Sequence, residues 1–271
     1  MAMFPSQLLL SSKHLKEQIL QPLFEPHGVE LFVPFGFDTD QFGTFCGAQP
    51  RTEGPKQTVK EKCLAGMAFA NQRQGLASEG SFGPHPASPF LSINEEWLVY
   101  IDLDQNLEIY GHSVSMDLCH QQLDYRSLQL TEFLTRIQFG AQGLVLKDVN
   151  SGAVIAKGLT NEDELLQLLQ KHPQWILETD LRAHMNPKRQ QTIAAAGKDL
   201  LQRMSSRCPK CTAPDFSVVE RSGQLPCSWC KQATNTHAFV TYSCVSCQHQ
   251  KIEKRKDLLL EDPQYCPHCN P

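Results

Sequence analysis

The chain has 271 residues, of which 41% are hydrophobic and 20% are charged, so its composition is that of a globular protein with one large or two modest domains. No apolar run reaches the roughly 18 residues of a membrane span, and the first residues lack the basic start and apolar body of a secretory signal. The composition therefore predicts a cytoplasmic protein with no membrane partner. The net charge is −4, and the excess of basic residues after residue 180 gives only weak support to nucleic-acid binding.

The first elements predict a β-α-β unit. Residues 7–10 form a short apolar strand, Ser11-Ser12 introduces an amphipathic helix, and residues 29–33 alternate as a second strand. Parallel strands of this kind favour ligand sites at their carboxyl ends. The segment over residues 34–55 is rich in glycine and aspartate, and its length is typical of a functional or mobile loop.

Helices and strands follow one another through the rest of the body. A helix over 57–72 leads into the strand Leu76-Ala77 and then into a glycine-rich loop over 78–86. The later predicted elements are a β-hairpin (97–103 and 107–111), two short strands (143–146 and 154–156), a helix after Thr160-Asn161, a strand (175–178) and a helix that begins at Pro187 with Asn186 as its cap. We therefore predict an α/β body of mixed sheet and flanking helices over 1–185, a connecting helix over 186–206 and a double zinc ribbon over 207–271.

Four C-x-x-C pairs after residue 207 predict two structural zinc ions. The pairs are Cys208 with Cys211, Cys227 with Cys230, Cys244 with Cys247, and Cys266 with Cys269. The gaps within the first two pairs and within the last two fit the zinc-ribbon template, which predicts sequential pairing. A cross-brace, in which the first and third pairs share one metal, remains the alternative. Four thiolates leave no open position for water, so neither site is expected to be catalytic.

Charged residues near the predicted loops suggest an anion site and a magnesium site. Lys13 and Lys16 lie one turn apart at a helix start, where free amides and the helix dipole attract phosphate. Asp38, Asp40 and Glu79 are carboxylates on glycine-rich loops and supply the hard oxygen ligands that Mg²⁺ prefers. The alternatives are a solvated basic helix face for the lysines and local turn caps for the acids.

A triplet after the strand over 175–178 is a further candidate. Asp180, Arg182 and His184 alternate, so they would share one face of an extended strand. Such a triplet is predicted either to bind an anion or orient a catalytic group, or to act as a structural brace.

The order of three motifs and of the predicted hairpin behind them resembles the inosine/xanthosine triphosphate pyrophosphatase superfamily, which includes the Maf-like proteins. The motifs are Ser11–Lys16, Gln57–Lys62 and Ala77–Glu79. The resemblance implies that Lys16 and Lys62 hold the phosphates of a nucleotide and that Glu79 binds magnesium or activates water. The sequence departs from the superfamily at two positions: Lys13 and Thr58 stand where the superfamily motifs have asparagine.

Longer strings resemble a bacterial family of uncharacterised proteins that carry a domain of unknown function. They are Asp38–Phe45, Ala77–Pro86, Glu178–Pro187 and the terminal Cys266–Pro271. This resemblance implies the architecture and supplies no activity.

The leading hypothesis is a magnesium-dependent, pyrophosphatase-like enzyme that acts on a nucleotide or phosphate ester. In it Lys13, Lys16 and Lys62 hold the phosphates, and Glu79 holds magnesium with Asp38 or Asp40. The chief alternative is a non-enzymatic protein whose body binds a nucleotide and whose zinc ribbons contact nucleic acid or protein. An inactive scaffold is the third possibility.

Overall fold

The computed structural model describes residues 4–39, 54–85, 88–117 and 120–271, and for residues 85 and 88–91 it describes the backbone alone. The predicted site residue Asp40 lies outside the described residues. Internal contacts divide the chain into two compact units, residues 1–200 and 201–271. Among the described helices, none has the length and apolarity needed to cross a membrane.

The first unit contains a five-stranded mixed sheet in the order β2-β1-β3-β4-β5. Its strands are β1 (Gln7–Ser11), β2 (Glu30–Phe32), β3 (Gln74–His85), β4 (Ser88–Asp102) and β5 (Leu107–Ser115). β1 pairs parallel with both β2 and β3, whereas β4 and β5 are antiparallel. The predicted β-α-β opening is confirmed, with α1 (Lys16–Phe24) as its crossover helix. The carboxyl end of β1 therefore lies beside Ala77, in the first half of β3.

Helices pack on this sheet through buried apolar faces. On one side α2 (Pro55–Phe69) contributes Val59, Cys63 and Met67 to a core shared with the strands. α5 (Pro187–Ser205) packs against β5 so closely that a Cβ on Gly111 would come within 2.3 Å of the Ala196 carbonyl oxygen. Only glycine permits this approach of helix to strand.

The same unit contains a four-stranded antiparallel sheet in the order β6-β9-β7-β8. Its elements are β6 (Gln122–Asp124), α3 (Leu130–Ile137), β7 (Leu144–Asp148), β8 (Val154–Leu159), α4 (Glu162–Lys171) and β9 (Trp175–Thr179). Phe133, Leu146 and Leu177 belong to its buried core. As predicted, Asn161 caps α4, because its side-chain oxygen accepts a hydrogen bond from the Glu164 amide at 3.0 Å. The short elements β6 and α3 were not predicted.

The prediction of a loop over 78–86 is wrong, because β3 continues to His85 and pairs with β4 along this segment. The glycines suggested a turn, but at Gly80 the missing side chain serves close packing. A Cβ there would lie 2.3 Å from a carboxylate oxygen of Glu96 and 2.5 Å from the Arg189 guanidinium. Glu79 therefore lies in the middle of a strand and not on a loop.

Two further local predictions need correction. The helix expected after Ser11-Ser12 begins only at Lys16, after His14 and Leu15 adopt positive φ angles of 64° and 57°. Lys13 therefore lies in the preceding turn and does not share a helix turn with Lys16. Residues 180–182 follow β9 and residues 183–185 form a 3₁₀ turn, so Asp180, Arg182 and His184 do not share a strand face.

The second unit holds a three-stranded antiparallel sheet of β10 (Ser217–Ser222), β11 (Phe239–Ser243) and β12 (Gln250–Lys254). The division between the units falls at residue 200, within α5. The predicted cap of this helix is confirmed: the Asn186 side-chain oxygen accepts a hydrogen bond from the Arg189 amide at 3.0 Å.

Candidate anion cleft and metal centres

The eight paired cysteines form two clusters in the second unit, and the pairing is that of a cross-brace. Within each cluster the sulfur atoms lie within 4.8 Å of one another. One cluster contains Cys208, Cys211, Cys244 and Cys247, and the other contains Cys227, Cys230, Cys266 and Cys269. The sequential pairing expected from the gap lengths is wrong, and the cross-braced alternative is confirmed.

Strand order explains this pairing. Ser217, at the start of β10, is paired with Ser243 at the end of β11, so the first and third C-x-x-C pairs meet at one end of the sheet. At the other end, Phe239 of β11 is paired with Lys254 of β12, and the second and fourth pairs follow from that end. An antiparallel meander therefore brings alternate pairs together.

The sulfur geometry fits zinc. Four thiolates about 2.3 Å from a tetrahedral zinc stand roughly 3.8 Å apart. The sulfurs of Cys208 and Cys247 are 3.7 Å apart, and those of Cys227 and Cys269 are 3.9 Å apart. The Lys210 amide also donates to the Cys208 sulfur at 3.4 Å, as in a metal-binding knuckle. Each cluster can hold one zinc ion through four sulfurs, which leaves no site for a substrate.

A cleft of about 300 Å³ lies in the first unit, beside the carboxyl end of β1. It contains six of the predicted site residues, and Val145, Val154 and Leu181 add an apolar wall. The predicted residues in the lining are Lys13, Lys16, Lys62, Glu79, Asp180 and Arg182. Among the predicted residues that are described, Asp38 and His184 are not part of the lining.

Buried ion pairs form the floor of the cleft. The Lys16 ammonium lies 2.9 Å from the Ser78 hydroxyl and 3.1 Å from a Glu96 carboxylate oxygen. The same Glu96 carboxylate accepts a hydrogen bond from Arg189 Nε at 2.6 Å. Lys62 donates to the Ser78 carbonyl at 3.2 Å and forms an ion pair with Glu79. Ser78 therefore connects two ion-pair groups whose charged residues are all buried.

Sequence analysis missed Glu96 and Arg189, although Arg189 has a recognisable signal. Arg189 falls on the helix face that also carries Ile193, Ala196 and Leu200, where an apolar residue is expected. Arg189 is fully buried in this position. A charge on the core face of an amphipathic pattern implies a buried partner, because an unpaired charge there is too costly.

The remaining candidates lie in ion pairs of their own. Arg182 donates from Nε to both carboxylate oxygens of Asp180, each at 3.0 Å, and Asp180 is buried. This fits the predicted structural brace, which still presents the outer edge of Arg182 to the cleft. Lys13 forms an ion pair with Asp38 at the cleft rim. The ring of His184 stacks loosely on His14, with centroids 5.7 Å apart.

The cleft carries an excess of positive charge. Among the described residues of its lining, seven lysine and arginine side chains stand against three carboxylates. Lys147, one of the seven, pairs with Glu178 at 2.5 Å, whereas Lys157 lies exposed on β8. An anion entering the cleft therefore meets a positive field, although the whole chain is acidic.

Burial also shifts the pKa values of two charged residues on the floor of the cleft, Lys16 and Glu96. Desolvation by burial, together with the positive charges of Arg189 and Lys62, lowers the pKa of the Lys16 ammonium to about 8, against the opposing effect of Glu96. Although burial opposes ionisation of Glu96, the charges of Arg189 and Lys16 hold the pKa of that carboxyl below its usual range. At neutral pH both groups are charged, and Lys16 loses its proton at a lower pH than an exposed lysine does.

Comparison with known proteins yields one family. A family model described as a domain of unknown function, DUF6671, matches residues 62–271. No curated protein and no solved structure matches the chain. The match confirms the resemblance to an uncharacterised family, while the resemblance to the pyrophosphatase superfamily stays a prediction. The matched segment includes Lys62, Glu79, Glu96, Arg189 and all eight paired cysteines.

Proposed function

We propose a binding function for this chain, which belongs to the DUF6671 family of domains of unknown function. The cleft of the first unit binds a phosphate-bearing small molecule such as a nucleotide. The two zinc clusters then have a structural role in the second unit.

The observation that carries this proposal is the imbalance of buried charge beside the cleft. Among the residues that the structure describes, three buried cations, Lys16, Lys62 and Arg189, are connected to two buried carboxylates, Glu79 and Glu96. Asp180 and Arg182 form a separate pair and leave the imbalance unchanged. A residual positive charge in a poorly solvated site is costly, and a bound anion would offset that cost.

The start of α1 supports the same ligand chemistry. This helix begins at Lys16, and its N-cap residue, Leu15, supplies no side-chain hydrogen bond to the first amides. Lys13 and His14, in the turn before the helix, line the cleft together with Lys16. Free amides at a helix start together with lysine ammonium groups are the elements from which proteins build phosphate sites.

Binding is better supported than magnesium-dependent hydrolysis. The two described carboxylates expected to hold magnesium, Glu79 and Asp38, each lie in an ion pair with a lysine. A metal would have to displace Lys62 or Lys13 before it reached them. Hydrolysis of a nucleotide or phosphate ester is therefore a hypothesis that rests on the sequence motifs alone.

A thermal-shift experiment tests the binding proposal. Pyrophosphate, ADP and ATP at millimolar concentration are expected to raise the Tm of the zinc-loaded protein by several degrees, because a ligand that binds only the folded state stabilises it. Lys16→Met should abolish the shift, while Lys171→Met, at the exposed end of α4, should retain it. Addition of MgCl₂ or EDTA separates binding of the free anion from binding of a magnesium complex. The absence of any shift in the wild-type protein, or an equal shift in Lys16→Met, would contradict the proposal.

Affinity for the ligand should depend on pH through Lys16. Since its pKa is lowered to about 8, the free protein loses this ammonium charge as the pH rises above that value. We expect ADP, whose phosphates are fully ionised in this range, to bind several-fold more weakly at pH 9.5 than at pH 7. Isothermal titration calorimetry at the two pH values measures the ratio. A pH-independent affinity would show that the Lys16 charge does not contribute.

A further inference from the structure

A second pocket of the first unit lies on the face of the five-stranded sheet that α2 covers. It is formed by the first turn of α2 and by residues of β4 and β5. Its lining includes the aromatic residues Trp97 and Tyr110, the carboxylates Glu95 and Glu108, and Lys56 and Lys60. None of these residues lines the basic cleft.

The aromatic rings form two walls of this pocket. Trp97 and Tyr110 meet edge to face, with centroids 6.1 Å apart and planes at 86°. His112 stacks on Trp97 at 3.9 Å and so fixes the orientation of the indole. Two ring faces held at a right angle, with carboxylates beside them, are the elements that proteins use to bind organic cations.

An ammonium group of the protein already lies beside both rings. The Lys56 ammonium lies 4.5 Å from the centroid of Tyr110 and 5.7 Å from that of Trp97. Both distances are within the range of a cation–π interaction. Lys56 makes no ion pair with a carboxylate among the residues that the structure describes. Among those residues its ammonium contacts the two rings and interacts with the charge of Glu108 without forming a salt bridge, so its displacement breaks no salt bridge there.

The two carboxylates are kept in place by other partners. Glu108 pairs with Lys60 at 2.6 Å and accepts a hydrogen bond from the Tyr110 hydroxyl at 2.5 Å. Glu95 lies 2.8 Å from His112 Nε2. Their negative charge therefore remains beside the rings when Lys56 leaves, and it favours a second cation in the vacated place.

We propose that this pocket binds an organic cation, an ammonium or guanidinium group, and that Lys56 is its built-in competitor. The α2 backbone tethers Lys56 at the pocket, so a ligand must displace a group of its own kind. Removal of the Lys56 charge should then raise affinity for the external cation. This proposal is independent of the phosphate cleft, because the two sites share no residue.

Choline and its uncharged isostere 3,3-dimethyl-1-butanol provide the test. Calorimetric titration is expected to show that choline binds Lys56→Met about two- to thirtyfold more tightly than it binds the wild-type protein. The isostere should bind both proteins at least several-fold more weakly than choline binds the variant. Lys171→Met serves as the matched control and should bind choline as the wild type does. The indole NMR resonance of Trp97 should shift on addition of choline and not of the isostere.

Two results would overturn the proposal. One is the absence of choline binding to a folded Lys56→Met variant, and the other is equal binding of choline and its isostere. Tyr110→Leu in the Lys56→Met background should lose the choline affinity, and a retained affinity in that variant would also count against the site. A lysine-rich peptide that competes with choline would identify a polypeptide source for the cation, and this outcome supports the same chemistry.

Discussion

Substitution of one zinc ligand, Cys208→Ser, is expected to unfold the whole second unit and to release zinc. The cluster of Cys208 also contains Cys244 and Cys247, which directly follow the central strand β11. The four-sulfur site therefore joins the start of β10 to the end of β11 at one end of the sheet, and structural zinc of this kind contributes on the order of 10 kcal/mol to folding. Elemental analysis should give two zinc ions per wild-type chain and fewer than one in the variant.

The first unit should keep its own cooperative melting transition in this variant, because residues 1–200 contain separate buried cores. His268→Ala is the matched control, since this histidine lies within the fourth C-x-x-C pair but belongs to neither cluster. It should retain both zinc ions. Retention of a folded β10–β12 sheet in Cys208→Ser would show that the two clusters do not depend on each other.

The second large effect is expected at Glu96, whose substitution by glutamine should cost about 3–5 kcal/mol of unfolding free energy. Glu96 is completely buried and joins Lys16 to Arg189. Glutamine keeps the size of the side chain but leaves two buried cations without their shared carboxylate. Denaturant unfolding monitored by circular dichroism measures the loss.

Glu95→Gln is the control for this experiment. Glu95 is the next residue on β4, but its side chain is 25% exposed, so the substitution should change stability by less than about 1 kcal/mol. Equal losses in the two variants would mean that the Lys16–Glu96–Arg189 group is not the structural centre of the cleft.

The local features of this fold could be read from sequence, whereas its long-range pairings could not. The C-x-x-C spacing identifies all eight zinc ligands because two intervening residues place both sulfurs on one metal. The choice of partner pair depends on the order of β10, β11 and β12, and gap length carries no information about that order. Asn161 and Asn186 were similarly predictable, because a helix cap involves only neighbouring residues.

In the candidate cleft, too, the residues in local motifs were predictable and their long-range partners were not. Lys16, Lys62 and Glu79 were singled out by their motifs, and the structure brings them to one cleft. Glu79 was placed on a loop because Gly80 and Gly83 suggested a turn, while the true reason for Gly80 is the Glu96–Arg189 pair above it. Those two partners are 93 residues apart in sequence, and their contact depends on the register of β3, β4 and α5.

A crystal structure of the protein grown with pyrophosphate tests the central claim most directly. The account predicts density for the anion in the cleft, with its oxygens within hydrogen-bonding distance of the ammonium groups of Lys16 and Lys62 and near the first amides of α1. Pyrophosphate bound only elsewhere on the surface, with water alone in a cleft whose ion pairs are intact, would contradict it.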